Sequence, residues 1–442
     1  MEAFISLPEV KKNKSITNAW AFYDWANSVY PLVITTAIFP VFYENLTSTK
    51  IDGIVISDSV TYFGKSFINT ELYSYIVALS FIVVSVTSPF LSGIADYTGS
   101  KKMFMRFFCY LGAASCASLY FFNPENLEIS LLSVFFASIG FWGSLVFYNA
   151  FLPEIATREK HDSLSAKGYS LGYLGSSILL ILNLLVIMNY EFFGFDNVGQ
   201  PTRLAFLSVA LWWVGFSQIT FSILPDNIYS RKPTGNVLFK GINELHQVWL
   251  ALKKDSRLKA FLASFFVYSM GVQTVMLMAV LFASKVIKIE TANLIISVLI
   301  IQFIGIAGAY FFSWLSLKIG NIKAIGTAVF IWILICAGTY YLVHTPVDFY
   351  IVAVTVGLVM GGIQSLSRST YSKLLPETID HASYFSFYEI LEKVGIVIGM
   401  FSFGLIEGIT GSMRNSILAL ILFFVVAFIL LLRIPGVKAL KP

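Results

Sequence analysis

The sequence predicts an all-α integral membrane protein, with twelve transmembrane helices in two pseudo-symmetric six-helix bundles. Of the 442 residues, 57% are hydrophobic and only 12% are charged, whereas soluble domains carry about 25% charged residues. Nearly uncharged stretches long enough to cross a bilayer, which takes about 20 residues, recur along the whole chain. This much apolar surface can be covered only by lipid, so a water-soluble fold is excluded.

Twelve apolar stretches satisfy this length rule. They lie at residues 18–43, 71–95, 103–122, 129–152, 167–189, 203–224, 258–283, 292–316, 322–343, 347–371, 383–408 and 414–434. The polar start and the length of the first stretch predict a spanning helix and no cleaved signal peptide. The longest polar interval follows the sixth stretch. We therefore expect an amino-terminal bundle at 1–224, a linker at 225–257 and a carboxy-terminal bundle at 258–442.

The orientation follows from the basic residues. Most of the 30 lysines and arginines lie in intervals on the same side as the amino terminus. Because cytoplasmic loops are enriched in these residues, both termini are predicted to be cytoplasmic. The same distribution accounts for the net charge of +5 without a nucleic-acid partner. The short tails favour a bacterial-type plasma membrane.

The linker contains an amphipathic pattern. Its apolar residues recur at helical spacing: Leu238, Ile242, Leu245, Trp249 and Leu252. This pattern predicts a helix lying on the inner membrane surface. Such a helix could simply tie the bundles together or could bind a regulatory partner.

The first span carries a polar stripe within "AFYDWANSVYP", residues 21–31. At 100° per residue, Asp24, Asn27, Ser28, Pro31 and Thr35 fall within an arc of about 100°. A carboxylate at the centre of a span costs about 2.5–3.5 kcal/mol. The stripe is therefore expected to face a cavity or neighbouring helices. Asp24 either belongs to a functional site or anchors the helices by hydrogen bonds.

A short loop motif follows the second span, "GIADYTGSKK" at 93–102. Gly93 allows close helix approach, Asp96 puts a negative charge at the helix end, and Gly99 permits a tight turn. Lys101 and Lys102 are expected at the level of the lipid headgroups. The motif resembles the loop signature of the major facilitator superfamily, where it helps set the balance between inward-open and outward-open states. The corresponding second-half stretch, "WLSLKIGNIK", has Leu317 in place of the acid, which makes a matching contact doubtful.

Several further motifs resemble the vacuole effluxer-like branch of that superfamily, whose eukaryotic members are autophagy-related amino-acid exporters. They are "WAFYDWANSVY" (20–30), "FYNAFLPEIA" (147–156), "GYSLGYLGSS" (168–177), "GGIQSLSRSTYSKLLPE" (361–377) and "FSFYE" (385–389). They occur in the expected order over most of the chain. One departure is Met270, which stands where many relatives carry an acid. Span four also lacks an arginine and span five a proline, features that mark the drug–proton antiporters of the superfamily.

Charged residues also occur near the inner ends of the last spans. Arg368 in span ten could reach the headgroups or pair with an acid of another span. Glu389, Glu392 and Lys393 share one turn of span eleven, where Glu389 and Lys393 form a favourable i, i+4 pair. These charges form either a gating network that includes Arg368 or a static interfacial cluster.

Two sets of candidate residues result. The substrate or coupling set is Tyr23, Asp24, Asn27, Tyr148, Asn149, Gln273, Gln302 and Gln364. The gating set is Gly93, Asp96, Gly99, Lys101, Lys102, Arg368, Glu389, Glu392 and Lys393. Glycine and serine also recur every four residues in span ten and in span five, which predicts ridges for close helix packing.

No cofactor, metal or enzymatic activity is expected. The sequence has no nucleotide-binding loop and no nucleophile elbow or metalloprotease helix. Its four histidines, His161, His246, His344 and His381, are scattered in predicted loops and offer no metal cluster. The three cysteines fall in apolar stretches and are expected to be buried.

The sequence therefore predicts a monomeric secondary carrier that works by alternating access and contacts membrane lipid. The resemblance implies an amino acid or a similar small polar solute. A proton or another ion is a candidate coupling partner. Two alternatives remain open: an exporter of hydrophobic drugs or lipids, and a non-transporting receptor or scaffold.

Overall fold

The computed structural model describes residues 7–51, 54–231, 233 and 236–434, and most of these are helical. The first ten α-helices are α1 (Leu7–Lys12), α2 (Lys14–Asn27), α3 (Phe39–Thr47), α4 (Asn69–Thr98), α5 (Lys101–Ser118), α6 (Leu127–Ala150), α7 (Leu152–Ile155), α8 (His161–Met188), α9 (Gly199–Ile223) and α10 (Val237–Lys254). The other six are α11 (Ser256–Lys285), α12 (Thr291–Ile319), α13 (Asn321–Leu342), α14 (Pro346–Leu374), α15 (His381–Thr410) and α16 (Ile417–Leu432). Some predictions fall outside the described residues: the first residue of the predicted amino-terminal bundle and the last residue of the carboxy-terminal one, at 1 and 442, and the basic residues Lys232, Lys438 and Lys441.

Among the described residues, ten helical segments are long and apolar enough to cross a membrane. Helix α15 and the shorter α16 follow them where the eleventh and twelfth spans were predicted. The all-α membrane fold is thus confirmed. Below, α2 with α3, α4, α5, α6, α8 and α9 are called the first six, and α11 to α16 the last six. The end of the molecule where α4 gives way to α5 is called the Asp96 end.

The first long helix is loosened at its centre. Between α2 and α3, residues Tyr30–Ile38 form a π-helix whose second residue is Pro31. Proline lacks the N–H that an α-helix needs, and the hydroxyls of Thr35 and Thr36 donate to its carbonyl at 2.7 and 2.8 Å. The predicted polar stripe therefore continues into a segment whose backbone is not α-helical.

The loop between the first two long helices contains strands that the sequence analysis missed. Strands β1 (Thr49–Ile51) and β2 (Ile54–Ser57) form one antiparallel pair, and β3 (Ser59–Tyr62) and β4 (Lys65–Ile68) form another. Phe63 and Gly64 join the second pair with φ of 46° and 74°. Two positive φ angles fit a tight hairpin turn. Gly64 was therefore a sequence signal from which this turn could have been predicted.

Close helix contacts depend on the predicted small-residue ridge of span ten. A Cβ on Gly361 in α14 would lie 2.0 Å from the carbonyl oxygen of Gly305 in α12, and one on Gly308 would lie 2.0 Å from that of Leu358. Only glycine allows the two backbones to approach this closely. Packing is thus the role of this ridge.

Helix α10 forms in the linker as predicted, but it packs on the protein with a different face. It crosses α4 so closely that a Cβ on Gly93 would lie 2.2 Å from the carbonyl oxygen of Gly241, and the ring of Trp249 lies 5.5 Å from that of Phe387 in α15. Of the predicted apolar face, Leu252 is buried and Leu245 half-buried. The other three, Leu238, Ile242 and Trp249, are exposed.

Candidate functional site

The centre of the molecule contains a buried ion pair between the first six and the last six helices. The guanidinium of Arg368 in α14 donates to Oδ2 of Asp24 in α2 from both terminal nitrogens, each at 3.1 Å. The hydroxyl of Tyr148 in α6 donates to the same oxygen at 2.8 Å. All three side chains are buried. The polar stripe of the first helix therefore faces partner helices in this conformation.

Arg368 is held on several sides. Its Nε donates to the hydroxyl of Ser165 at 2.9 Å, and Nη2 donates to the Ser165 carbonyl at 3.0 Å. The rings of Tyr169 and Trp20 lie 4.2 and 4.9 Å from its guanidinium carbon, within range for cation–π attraction. Of the two possibilities for Arg368, snorkelling to the headgroups is wrong and pairing with an acid of another span is confirmed.

Glycine in α8 makes room for the Asp24 carboxylate. A Cβ on Gly168 would lie 2.3 Å from Oδ2 of Asp24, and one on Gly172 would lie 2.4 Å from the hydroxyl of Ser28. The indole of Trp20 also donates to the Tyr148 carbonyl at 2.8 Å, which ties α2 to α6. The small-residue ridge of span five is thus the surface on which the polar stripe of the first helix packs.

A second charged cluster lies in α15, where Lys393 contacts both Glu389 and Glu392. Its Nζ bonds to Glu389 and lies 3.0 Å from Glu392 Oε2, and it lies 3.9 Å from the centre of the Trp142 ring. Gln273 in α11 donates to Glu392 at 2.7 Å. The predicted i, i+4 pair is therefore formed, and one of its neighbours comes from the first six.

Asn149 connects the two clusters. Its side-chain nitrogen donates to Glu389 at 2.8 Å, and its oxygen accepts a long bond of 3.5 Å from Arg368. The joined network holds three carboxylates, of Asp24, Glu389 and Glu392, against two cations. Only Glu392 among these carboxylates is more than slightly exposed, with 16% of its side chain accessible.

The remaining predicted substrate residues are Gln364, Asn27, Gln302 and Tyr23. Gln364 accepts from Tyr173 at 2.5 Å and contacts a methionine sulfur. Asn27 is buried, and its amide nitrogen has no partner among the described residues. Gln302 is half-buried. Tyr23 is completely buried and packs against aromatic rings of α6 and α9, within the first six.

Asp96 binds the start of α15. Its two carboxylate oxygens accept from the backbone N–H groups of Ala382 and Ser383 at 3.2 and 2.7 Å. The first N–H groups of a helix lack partners within the helix and carry partial positive charge, so a carboxylate is favourable there. Gly99 adopts a φ of 72°, as the predicted tight turn requires. Asp96 therefore links α4 of the first six to α15 of the last six.

The placement predicted for Lys101 and Lys102 is wrong. Both are buried instead of reaching the headgroups. Lys101 bonds to Glu154 and lies 3.3 Å from Asp96, while Lys102 contacts Asp226 at 2.9 Å and donates to the Leu224 carbonyl. Acceptors supplied by the protein take the place of water and lipid phosphate.

Sequence reasoning missed two residues of this contact, Glu154 and His381. The His381 ring lies 3.0 Å from Glu154 Oε1 and so joins α15 to α7. The histidines were assigned to loops, but His161 and His381 each begin a long helix and His246 lies within α10. Glu154 is the acid of "LPEIA" at the end of span four, and a charged residue at that place was the sequence signal that could have identified it.

Charged residues of the linker and of the segment before α15 lie at the same end of the molecule. Arg231 of the linker pairs with Asp380 at 2.7 Å. Burial raises the pKa of Glu244 in α10 above its usual range, and the charge of Asp380 adds to the effect. The linker thus contributes both charge and packing at the Asp96 end.

Solved structures with this architecture define its class. The chain superimposes on FucP, a major facilitator superfamily transporter captured in the outward conformation, with a TM-score of 0.69 and 13% identity, covering 97% of this chain and 100% of FucP. It superimposes on the human organic anion transporter MFSD10 with a TM-score of 0.72 and 10% identity, covering 95% and 99% of the two chains. The protein therefore has the fold of the major facilitator superfamily.

Sequence comparison identifies the branch. The family model described as vacuole effluxer Atg22 like matches residues 12–441. An uncharacterized MFS-type transporter of Bacillus subtilis, YxiO, is 31% identical over 95% of this chain and 94% of its own. Autophagy-related protein 22-1 of Penicillium rubens is 23% identical over 94% and 89% of the two chains. The chain belongs to the Atg22-like family of membrane transporters and is not an enzyme.

Proposed function

We propose that this protein is a secondary active transporter that moves a small polar solute, an amino acid or related metabolite, by alternating access. The observation that carries the proposal is the buried ion pair between Asp24 and Arg368, which joins the first six helices to the last six. The first six and the last six act as the two bundles, 1–224 and 258–442, and rock about this pair. Residues 225–257 form the linker between them.

The charges of the network suit a zwitterionic solute. A solute carboxylate can take the place of Asp24 on the Arg368 fork, which binds carboxylates with two parallel hydrogen bonds. A solute ammonium can approach Glu392, the most accessible acid of the network. Because the charged side chains of the network are largely buried, replacing one of their partners by a solute group changes the electrostatic interaction energy more than it would in water. A polar solute bound here competes directly with the contact between the bundles.

The excess of carboxylates over cations suits a coupled proton. With three carboxylates and two cations, the network has one acid without a full countercharge. A proton taken up from one side would neutralise that acid while the solute is bound, and its release on the other side would drive accumulation. The acids of α15 are the candidate proton carriers.

In this proposal the Asp96 end is the cytoplasmic gate in its closed state. The contacts of Asp96 with α15 and of Glu154 with His381 bridge the two bundles there. They must separate before the solute can leave toward the cytoplasm. The protein acts as a monomer in a plasma membrane, with both termini inside.

Transport by purified protein in proteoliposomes tests the proposal. We expect labelled amino acids to enter with saturable kinetics in counterflow, and a pH gradient to drive accumulation. Arg368→Gln should abolish both activities. Glu389→Gln, which leaves Glu392 available to a solute ammonium, should retain counterflow and lose gradient-driven accumulation. Glu125→Gln, at an exposed acid, serves as the control. The substrate assignment would have to be abandoned if no amino acid showed saturable flux with or without the gradient.

One observation favours a second candidate, an exporter of apolar molecules. An apolar cavity lies among the last six helices. Its lining includes Met278, Phe282, Phe349, Val352 and Phe403. It is separate from the charged network and does not lie between the bundles. Efflux of an apolar dye that Arg368→Gln leaves intact would favour this candidate over the first.

A further inference from the structure

The linker helix α10 is tied at both ends to membrane-spanning helices. Its first turns cross α4 at Gly241 and Gly93, and the ammonium of Lys240 lies 5.4 Å from the centre of the Tyr97 ring near the end of α4. At its other end, Asp255 alone separates it from α11, which is also long and apolar enough to span. Because α4 ends and α11 begins at the Asp96 end, α10 lies along the membrane surface there.

An apolar face of α10 is left uncovered by the protein. The helix buries Gly241, Val248 and Leu252. At 100° per residue, five exposed apolar side chains fall within an arc of about 120° beside this buried face. They are Leu238, Phe239, Ile242, Trp249 and Leu250. On a helix at the membrane surface, such a face enters the boundary between the headgroups and the acyl chains.

Basic side chains lie beside this apolar face. Lys253 falls on the same arc, and its ammonium lies 4.8 Å from the centre of the Trp249 ring. Lys254 and Lys259 are exposed as well, one at the end of α10 and the other in the first turn of α11. The acid between them, Asp255, accepts from two backbone N–H groups at the start of α11. Lysines clustered on an amphipathic helix at the membrane surface attract anionic headgroups.

The same charges decide between lipid and a second copy of this chain as the neighbour of the face. In a symmetric pair, the same surface of each copy would meet, and the lysines of one copy would lie against those of the other. Like charges brought together at an interface are unfavourable. An anionic headgroup carries the opposite charge, so anionic lipid is the occupant that fits both the apolar face and the lysines.

We propose that the exposed face of α10, together with Lys253, Lys254 and Lys259, is a docking site for anionic phospholipids of the leaflet at the Asp96 end. The apolar side chains enter the boundary between headgroups and acyl chains, and the lysines bind the phosphates. The linker is then a surface anchor as well as a connection between the two bundles. This role involves no solute and does not depend on the proposed transport activity.

Spin labels on α10 test the docking in nanodiscs that each hold one copy of the full chain. The label is attached at Ile242→Cys, in the middle of the apolar face, or at Gln247→Cys, on the polar face, and both positions are exposed. The measured quantity is the ratio of collisions with oxygen, which concentrates in lipid, to collisions with a neutral, water-soluble nickel complex. At position 242 this ratio should rise about fivefold or more when phosphatidylglycerol is added to phosphatidylcholine discs, the effect of about one lysine at an anionic surface. At position 247 it should stay unchanged.

Lysine variants test the contribution of charge. In discs with phosphatidylglycerol, Lys253→Gln combined with Lys254→Gln should return the ratio at position 242 most of the way to its value in phosphatidylcholine alone. High salt should have the same effect, because it screens exposed charges. Lys323→Gln is the matched control, since Lys323 is an exposed lysine in the first turn of α13 at the same end of the molecule. It should leave the ratio unchanged.

Three results would overturn the proposal. Equal ratios at positions 242 and 247 in discs with phosphatidylglycerol would mean that water covers the apolar face. A ratio at position 242 that does not change with phosphatidylglycerol, or that the double lysine variant does not lower, would mean that the lysines bind no headgroup. A ratio that rises only when two copies share a disc would assign the face to a second copy of the chain.

Discussion

At the scale of single residues, the buried charges explain the polar stripe of the first helix. Asp24 is bonded to both Arg368 and Tyr148, and these three residues come from α2, α14 and α6. An arginine in such a place keeps its charge and offers a rigid planar fork. The pair is therefore both an anchor between helices, as one interpretation had it, and the centre of the proposed solute site.

Asp24→Asn should lower both stability and transport. Without the carboxylate, Arg368 is a buried charge without its partner, a change that costs about 3–5 kcal/mol in comparable cases. Thermal unfolding in detergent, followed by tryptophan fluorescence, measures the effect. Adding Arg368→Gln should recover part of the lost stability, because no charge then remains unpaired, but should not recover transport. A double variant less stable than Asp24→Asn would contradict this account.

Tyr148→Phe separates the hydroxyl from the ring. It removes the bond to Asp24 and keeps the stacking on Trp20. Hydrogen bonds to charged groups contribute about 1.5–3 kcal/mol, so we expect a lower melting temperature and weaker solute binding. Tyr43→Phe is the control, since Tyr43 donates to the carbonyl of Asn69 away from the network. It should lower stability but leave transport unchanged; equal transport losses in both variants would refute a specific role for Tyr148.

At the scale of elements, the linker helix is part of the closed end. Helix α10 packs on α4 through Gly93 and Gly241, and its Trp249 contacts Phe387 of α15. It therefore touches both the first six and the last six. Other apolar side chains of α10, including Phe239 and Leu250, are exposed, so the helix presents apolar surface on more than one face.

Gly93→Ala should detach α10 from α4. The new Cβ would lie 2.2 Å from a backbone oxygen, a contact that only movement of the helix can relieve, and overpacking of this kind costs about 1–3 kcal/mol. Hydrogen exchange of the α10 amides should become faster. Gly215→Ala in α9 is the matched control, because nothing lies within 4 Å of its added Cβ. Unchanged α10 exchange in Gly93→Ala would show that the crossing does not depend on this glycine.

At the scale of the whole molecule, the distribution of charge and the contacts at the Asp96 end indicate the same state. The basic residues predict that this end faces the cytoplasm. The contacts of Asp96 and Glu154 hold the two halves together there. The molecule is accordingly interpreted as closed toward the inside, with its central ion pair formed.

Cysteine labelling in cells checks this orientation. The native cysteines Cys109, Cys116 and Cys336 are all buried, so added cysteines supply the signal. Lys254→Cys in α10 should react with a membrane-impermeant maleimide only after the cells are permeabilised. Phe192→Cys, at a position 86% exposed in the loop before α9, should react in intact cells. The reverse pattern would overturn the predicted orientation, and the Asp96 end would then face the outside of the cell.

The sequence predicted the helices well because lipid imposes a simple rule on them. A segment that crosses the bilayer must be long and apolar and must satisfy its own backbone hydrogen bonds, and every such segment can be recognised in isolation. The span containing α15 was found in this way despite Glu389, Glu392 and Lys393. The strands β1 to β4 were not predicted, because they lie in a polar loop where that rule does not apply.

The partners of the charged residues were decided by the tertiary structure alone. Asp24 and Arg368 are 344 positions apart in the chain, and no local pattern connects them. Lys101 and Lys102 fitted the headgroup region by their chemistry, yet acceptors from other helices hold them inside the protein. Composition and periodicity thus determined which segments span the membrane. Which buried charges meet depended on how the helices pack, because a charge in a low-dielectric interior is stabilised only by groups that packing brings within bonding distance.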